Sequence, residues 1–80
     1  MLKLEVTPAG SAYLTYHGSE KIVGDRIRIG LEVLIDLNAA GDVVGIEIVD
    51  VAIAESVESA RAFAEERGLP FPRKIDVPSA

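Results

Sequence analysis

The stretch that decides the fold is Asp36–Glu47, DLNAAGDVVGIE. It sets an acid at Asp36, an amide at Asn38, a glycine at Gly41 and a glutamate at Glu47. Counted from Asp36, these fall at the first, third, sixth and twelfth places of a calcium-binding EF-hand loop. The fifth and ninth places are Ala40 and Val44, whose side chains carry no oxygen. An EF-hand also needs a helix on each side, whereas Val33–Leu37 and Val43–Ile48 carry the period-two alternation of strands. Asn38-Ala39-Ala40-Gly41 therefore reads as a type I turn whose last residue takes the left-handed conformation that glycine tolerates. The stretch is a β-hairpin, and no metal ligand set is expected from it.

The same period extends outward on both sides. Leu2, Leu4 and Val6 alternate with Lys3 and Glu5, and Pro8-Ala9-Gly10-Ser11 is turn chemistry before a second strand at Ala12–Tyr16. His17-Gly18-Ser19-Glu20 turns into a third strand over Ile22–Ile29, with Ile27 and Ile29 opposite Arg26 and Arg28. After Gly30, Val33, Ile35 and Leu37 alternate with Glu32, Leu34 and Asp36. The fifth strand places Val44, Ile46 and Ile48 opposite Val43, Gly45, Glu47 and Val49. Parallel neighbours need a crossover of about a dozen residues, so the short links predict hairpins and a five-stranded antiparallel meander over residues 1–54.

SVESARAFAEERG reads as a helix over residues 55–68 packed on that sheet. Ser56 is the expected N-cap, Glu58 suits the positive end of the helix dipole, and Arg61 and Glu65 form an i,i+4 pair. Gly68, followed by Pro70, ends it. The apolar stripe of Val57, Ala60, Phe63 and Ala64 is narrow, so one helix is expected to leave sheet uncovered for a second subunit. Residues 69–80 carry three prolines and read as an extended tail, with Phe71 either an anchor on its own domain or an arm onto another chain. The fold class is α+β, in a single domain.

Composition narrows the function classes. The chain has 80 residues and no cysteine, which excludes disulfides and thiolate metal sites and fits a cytoplasmic setting. A net charge of −5 repels phosphate backbones, so nucleic acid is not an expected partner. No apolar run approaches the roughly 18–20 residues of a membrane span, and MLKLEV has no leader pattern. Glutamine is absent, and asparagine and methionine occur once each, a composition that fits a thermophilic or GC-rich source.

Residues Pro8–Asp50 resemble the small bacterial and archaeal domain-of-unknown-function family numbered 2283. The motif is Gly41-Asp42-Val43-Val44-Gly45-Ile46-Glu47-Ile48-Val49-Asp50. It follows a proline-led turn and a valine-rich strand pair. Ser11, where the family often has aspartate, and the order Tyr13-Leu14 depart from its pattern. The resemblance implies a small β-rich domain with no assigned chemistry and transfers no catalytic residue; no cofactor is expected. Some members sit beside small toxin-like proteins, which implies an antitoxin-like partner role as one alternative.

Candidate sites are few. His17 is the single imidazole, beside a turn glycine and Ser19, and supports a small-ligand or hydrolytic reading only if a substrate or nucleophile comes within hydrogen-bond reach. Glu5, Glu32, Asp36 and Glu47 are expected on a polar sheet face with Lys3, Arg26, Arg28 and Thr15, where cross-strand ion pairing is the simpler reading than paired acid–base carboxylates. Gly45, inside a strand, calls for a bulge, an aromatic such as Tyr13 packed across it, or a close subunit contact. Leu34, Val43, Gly45 and Val49 on that face, with Leu69 and Phe71 of the tail, form the expected interface. The favoured reading is a non-enzymatic interaction domain that forms a homo-oligomer, in the first place a dimer.

Overall fold

In the computed structural model, residues 2–16 and 24–78 are described. Five strands precede one helix: β1 (Lys3–Val6), β2 (Ala12–Thr15), β3 (Asp25–Ile29), β4 (Val33–Leu37), β5 (Val43–Ile48) and α1 (Ala54–Glu66). All neighbouring pairs are antiparallel, and the α+β class is as expected. The strand order is not that of a meander. It runs β1-β2-β5-β4-β3, so β2 pairs with β5 and the chain crosses to the far edge before β3. The reason is compositional: β5 (VVGIEI) is buried along nearly its whole length, while β3 (DRIRI) is charged and mostly exposed. A meander would leave β5 on an edge and β3 in the middle, stranding aliphatic surface in water and burying charge. Of the expected third strand, Ile22 and Val23 lie outside the described residues.

Registers align side chains in rows across all five strands. On the covered face one row is Leu4, Leu14, Ile46, Ile35 and Ile27, and the next is Val6, Ala12, Ile48, Val33 and Ile29. Leu14, Ile46, Ile35, Ile48 and Val33 are fully buried there, and burial of such aliphatics stabilises the fold by roughly 1.5–3 kcal/mol each. Ile27, at the edge of its row, remains 37 % exposed.

The hairpin between β4 and β5 confirms the turn. Gly41 has φ +88°, its N–H donates to the Asn38 carbonyl at 2.9 Å, and Asn38 Oδ1 accepts from the N–H groups of Ala40 and Asp42 at 3.0 and 2.9 Å. A bulge between Asp36 and Leu37 pairs Leu37 with Val43. It turns Val43 into the main apolar cluster, correcting its expected place on the second face. Glu32, expected on the polar face, instead stands in the β3–β4 turn at φ +56°.

Helix α1 runs Ala54–Glu66 rather than over 55–68, with Ile53 at the N-cap and no side-chain cap. Ser56 is fully buried in the first turn, and its hydroxyl donates to the Leu31 carbonyl, tying the helix to the β3–β4 turn. The Ser56 hydroxyl is itself buried, and a buried hydroxyl gains more from this bond than it would from capping in water. Arg61 pairs with Glu58 at 3.4 Å rather than with Glu65, because its guanidinium is drawn toward the tail. It donates to the carbonyls of Pro72 and Arg73 at 3.2 and 3.5 Å and lies 4.9 Å from the Phe71 ring centroid. Phe71 is thus an anchor on its own domain, and Leu69, Phe71 and Ile75 complete the cover that α1 leaves unfinished. The sheet's centre is sealed by its own chain. Among the described residues, the large aliphatics left exposed are Ile27, Leu31, Val49 and Val77, none of them at the centre of the sheet.

The helix ends in a Schellman motif: Gly68 N–H donates to Glu65 O at 3.1 Å and Leu69 N–H to Ala64 O at 2.8 Å. Gly68 sits at φ +69° with open space around its α-carbon, so Gly68→Ala carries only the left-handed backbone cost. A loss of about 1 kcal/mol in a urea unfolding curve is expected, with Gly68→Asn losing less.

Candidate functional site

The polar face of the sheet is also laid out in rows. Lys3, Thr15, Gly45, Asp36 and Arg26 form one, and Glu5, Tyr13, Glu47, Leu34 and Arg28 the other. Seven of the eight polar residues expected on this face are there; Glu32 is the exception. The register alone would leave Tyr13 and Asp36 in different rows, two strands apart. Gly45 joins them. A β-carbon there would fall on Tyr13 Oη and Cζ and come within 2.9 Å of Cε2, so the phenol end of the ring crosses directly over the glycine. The aromatic packing expected over Gly45 is what the structure has.

Tyr13 Oη reaches across to donate to Asp36 Oδ2 at 2.6 Å. Arg26 approaches the same carboxylate from the edge strand, donating from Nε to Oδ1 at 2.6 Å and from Nη2 to Oδ2 at 3.1 Å. Nη2 also donates to Glu47 Oε1 at 3.1 Å. The network spans β2, β5, β4 and β3. Asp36 is only 3 % exposed, so its charge stays buried because a forked guanidinium and a phenol together saturate it. Thr15, in the same row as Gly45, is buried, and its Oγ1 finds no hydrogen-bond partner among the described residues.

The protonation states follow from these contacts. Arg26 hydrogen bonding, then that of Tyr13, hold the Asp36 carboxyl below its usual range against the opposing effect of burial. Burial first, and the hydrogen bond to Asp36 second, push Tyr13 well above the ordinary phenol range. Burial pushes Tyr16 up to about 12. Near neutral pH the network is therefore a fixed carboxylate, a fixed phenol and a fixed guanidinium, each far from the pKa that proton transfer at that pH favours. Its chemistry is that of a staple across four strands.

Stability should follow with a definite sign at each end of the pH range. Asp36 has a depressed folded pKa, so its contribution is complete above the unfolded value of roughly 3.9 and is lost as pH falls through the folded one. The tyrosines have raised folded values, so their contribution is complete below the unfolded value of roughly 10 and is lost as pH rises through the folded one. Tyrosinate absorbance checks the alkaline limb: the chain's 2 tyrosines should ionise together with unfolding rather than before it. Free titration of either phenol near the ordinary value while the fold persists would contradict this assignment.

The residues expected to form one interface do not share a surface. Leu34 and buried Gly45 lie on the polar face, while Val43, Leu69 and Phe71 pack on the helix side. Val49 follows the end of β5 and is 38 % exposed. His17 lies outside the described residues. Beside the network, an open groove of about 540 Å³ is lined by the β1–β2 hairpin, Glu5, Tyr13 and Glu47. Among the described residues, no group of His, Cys, Asp and Glu side chains is arranged to hold a metal ion. No helix among the described residues is long and apolar enough to cross a membrane. Comparison with known proteins gives no match to a family model, a curated protein or a solved structure.

Proposed function

We propose that this chain is a non-enzymatic protein-interaction module that works as a homo-oligomer, in the simplest case a dimer in the cytoplasm. One observation carries the reading: the centre of the sheet is closed by its own helix and tail, but among the described residues both edge strands have no neighbouring strand on their outer side and carry partly covered aliphatics. On β1 these are Leu4 and Val6, flanked by Leu2; on β3 they are Ile27 and Ile29. Open edges of this kind are the usual place for strand addition by another chain. The saturated Tyr13–Asp36–Arg26–Glu47 network supports the same view, since its groups are committed to one another rather than to a substrate. The resemblance to family 2283 points the same way, toward a small β-rich domain without assigned chemistry.

Sedimentation equilibrium across the micromolar range tests the reading. A mass rising toward twice that of the chain is expected. A constant monomer mass would overturn it.

A further inference from the structure

The two free edges of the sheet are not equivalent, and the difference identifies which one can meet a second copy of the chain. Thr7 N–H donates to Ser11 O at 2.9 Å, which marks Thr7–Ser11 as a hydrogen-bonded pair. Antiparallel ladders alternate, so Glu5–Tyr13 and Lys3–Thr15 are hydrogen-bonded pairs too. The far side of β2 agrees: Tyr16 N–H donates to Val44 O at 3.0 Å, which assigns the even-numbered residues of β2 to β5. The N–H and C=O groups of Leu2, Leu4 and Val6 therefore point out of the sheet edge, unpaired by β2.

We propose that β1 pairs with β1 of a second copy across a two-fold axis through Leu4, giving one continuous antiparallel sheet through both chains. This deepens the homo-oligomer reading and rests on it. In that register Leu4 faces Leu4 of the other copy, and Leu2 faces Val6. These are the residues whose backbone groups point outward, so every outward N–H meets a carbonyl. Lys3 falls opposite Glu5, twice, at the non-hydrogen-bonded positions where facing side chains come closest. Within one chain Lys3 Nζ lies 3.9 Å from Glu5 Oε2, an exposed pair at 67 % and 61 % that can exchange partners across the axis. On the other face, Leu2, Leu4 and Val6 are only partly covered and pack against the core cluster, so the new strand extends that apolar layer.

Charge weighs against the adjacent registers and against the middle of the opposite edge. Moving the axis to Lys3 or to Glu5 sets like charges against each other. At the opposite edge, an axis through Ile27 sets Arg26 against Arg28, and an axis through either arginine sets it against itself. That edge is protected by its own charges, as solvent-exposed edges commonly are. A β1-to-β3 contact would be heterologous and would grow into rings or filaments rather than close at two chains by a two-fold axis.

Charge reversal in analytical ultracentrifugation tests the register. Lys3→Glu and Glu5→Lys should each weaken the dimer by about tenfold or more, since each sets like charges across the axis. The double variant Lys3→Glu/Glu5→Lys should restore it, and an equimolar mixture of the two single variants should form a heterodimer. Arg28→Lys, which keeps the like charges of the far edge, should leave the wild-type dimer constant unchanged. Circular dichroism checks that each variant folds. A wild-type dimer indifferent to both single reversals overturns the β1 register while leaving self-association standing. A wild-type chain that stays monomeric removes the homo-oligomer reading itself, and growth beyond the dimer overturns the two-fold closure.

Discussion

Replacing Asp36 by alanine should lower the unfolding free energy by about 3 kcal/mol, the largest effect expected from any single side chain of the polar face. Three hydrogen bonds end on this carboxylate, and it is 3 % exposed. The substitution leaves Tyr13 Oη without its acceptor and removes the partner that fixes Arg26. The loss stays below the upper end for a fully buried pair because the Arg26 side chain is 46 % exposed and retains Glu47. Asp36→Asn keeps the shape and an acceptor for the phenol but removes the charge, so it should lose about half as much. Urea unfolding of both variants at neutral pH, repeated at acid pH, checks the origin of the effect. The wild-type advantage over Asp36→Asn should shrink as pH falls through the folded pKa of Asp36, the direction that its depressed value demands. An advantage independent of pH would show that packing rather than charge is responsible.

Gly45→Ala should be the other costly change, at about 2–3 kcal/mol, although alanine is ordinarily the better residue in a strand. The added methyl would occupy the place of the Tyr13 ring. The ring must move away, and the bond to Asp36 breaks with it. A double-mutant cycle isolates the cause. In a Tyr13→Ala background the ring is gone, and Gly45→Ala should then be neutral or slightly stabilising, because the glycine keeps only its entropic disadvantage. A cost that persists in that background would place the obstruction elsewhere.

Gly45 and Tyr13 also mark how far the sequence could be read. Glycine in the middle of an alternating strand is a local signal, and Tyr13 was a natural candidate to cover it. That the same ring ends on Asp36 depends on the β2–β5 pairing, which no short-range pattern states. The signal for that pairing was present in composition. A strand as charged as DRIRI belongs on an edge and one as apolar as VVGIEI belongs in the centre, so the meander could have been rejected on burial alone. Ser56 departs from its expected capping role for a related reason. Capping chemistry is judged as if in water, and this hydroxyl instead meets a carbonyl inside the helix–sheet contact.

The sequence by itself determined the five strands, the Asn38–Gly41 turn, the helix with its Gly68 terminus, and the division of the sheet into an apolar and a polar face. These are local, set by period, turn residues and backbone preference within a few residues of each position. Tertiary structure alone decided the strand order, the bulge that carries Val43 into the core, the tail folding back under Arg61, and the convergence of Tyr13, Arg26 and Glu47 on Asp36. Each of these is chosen by which aliphatic surface can leave water at once and which buried charge can find its partners, a competition among segments far apart in the chain.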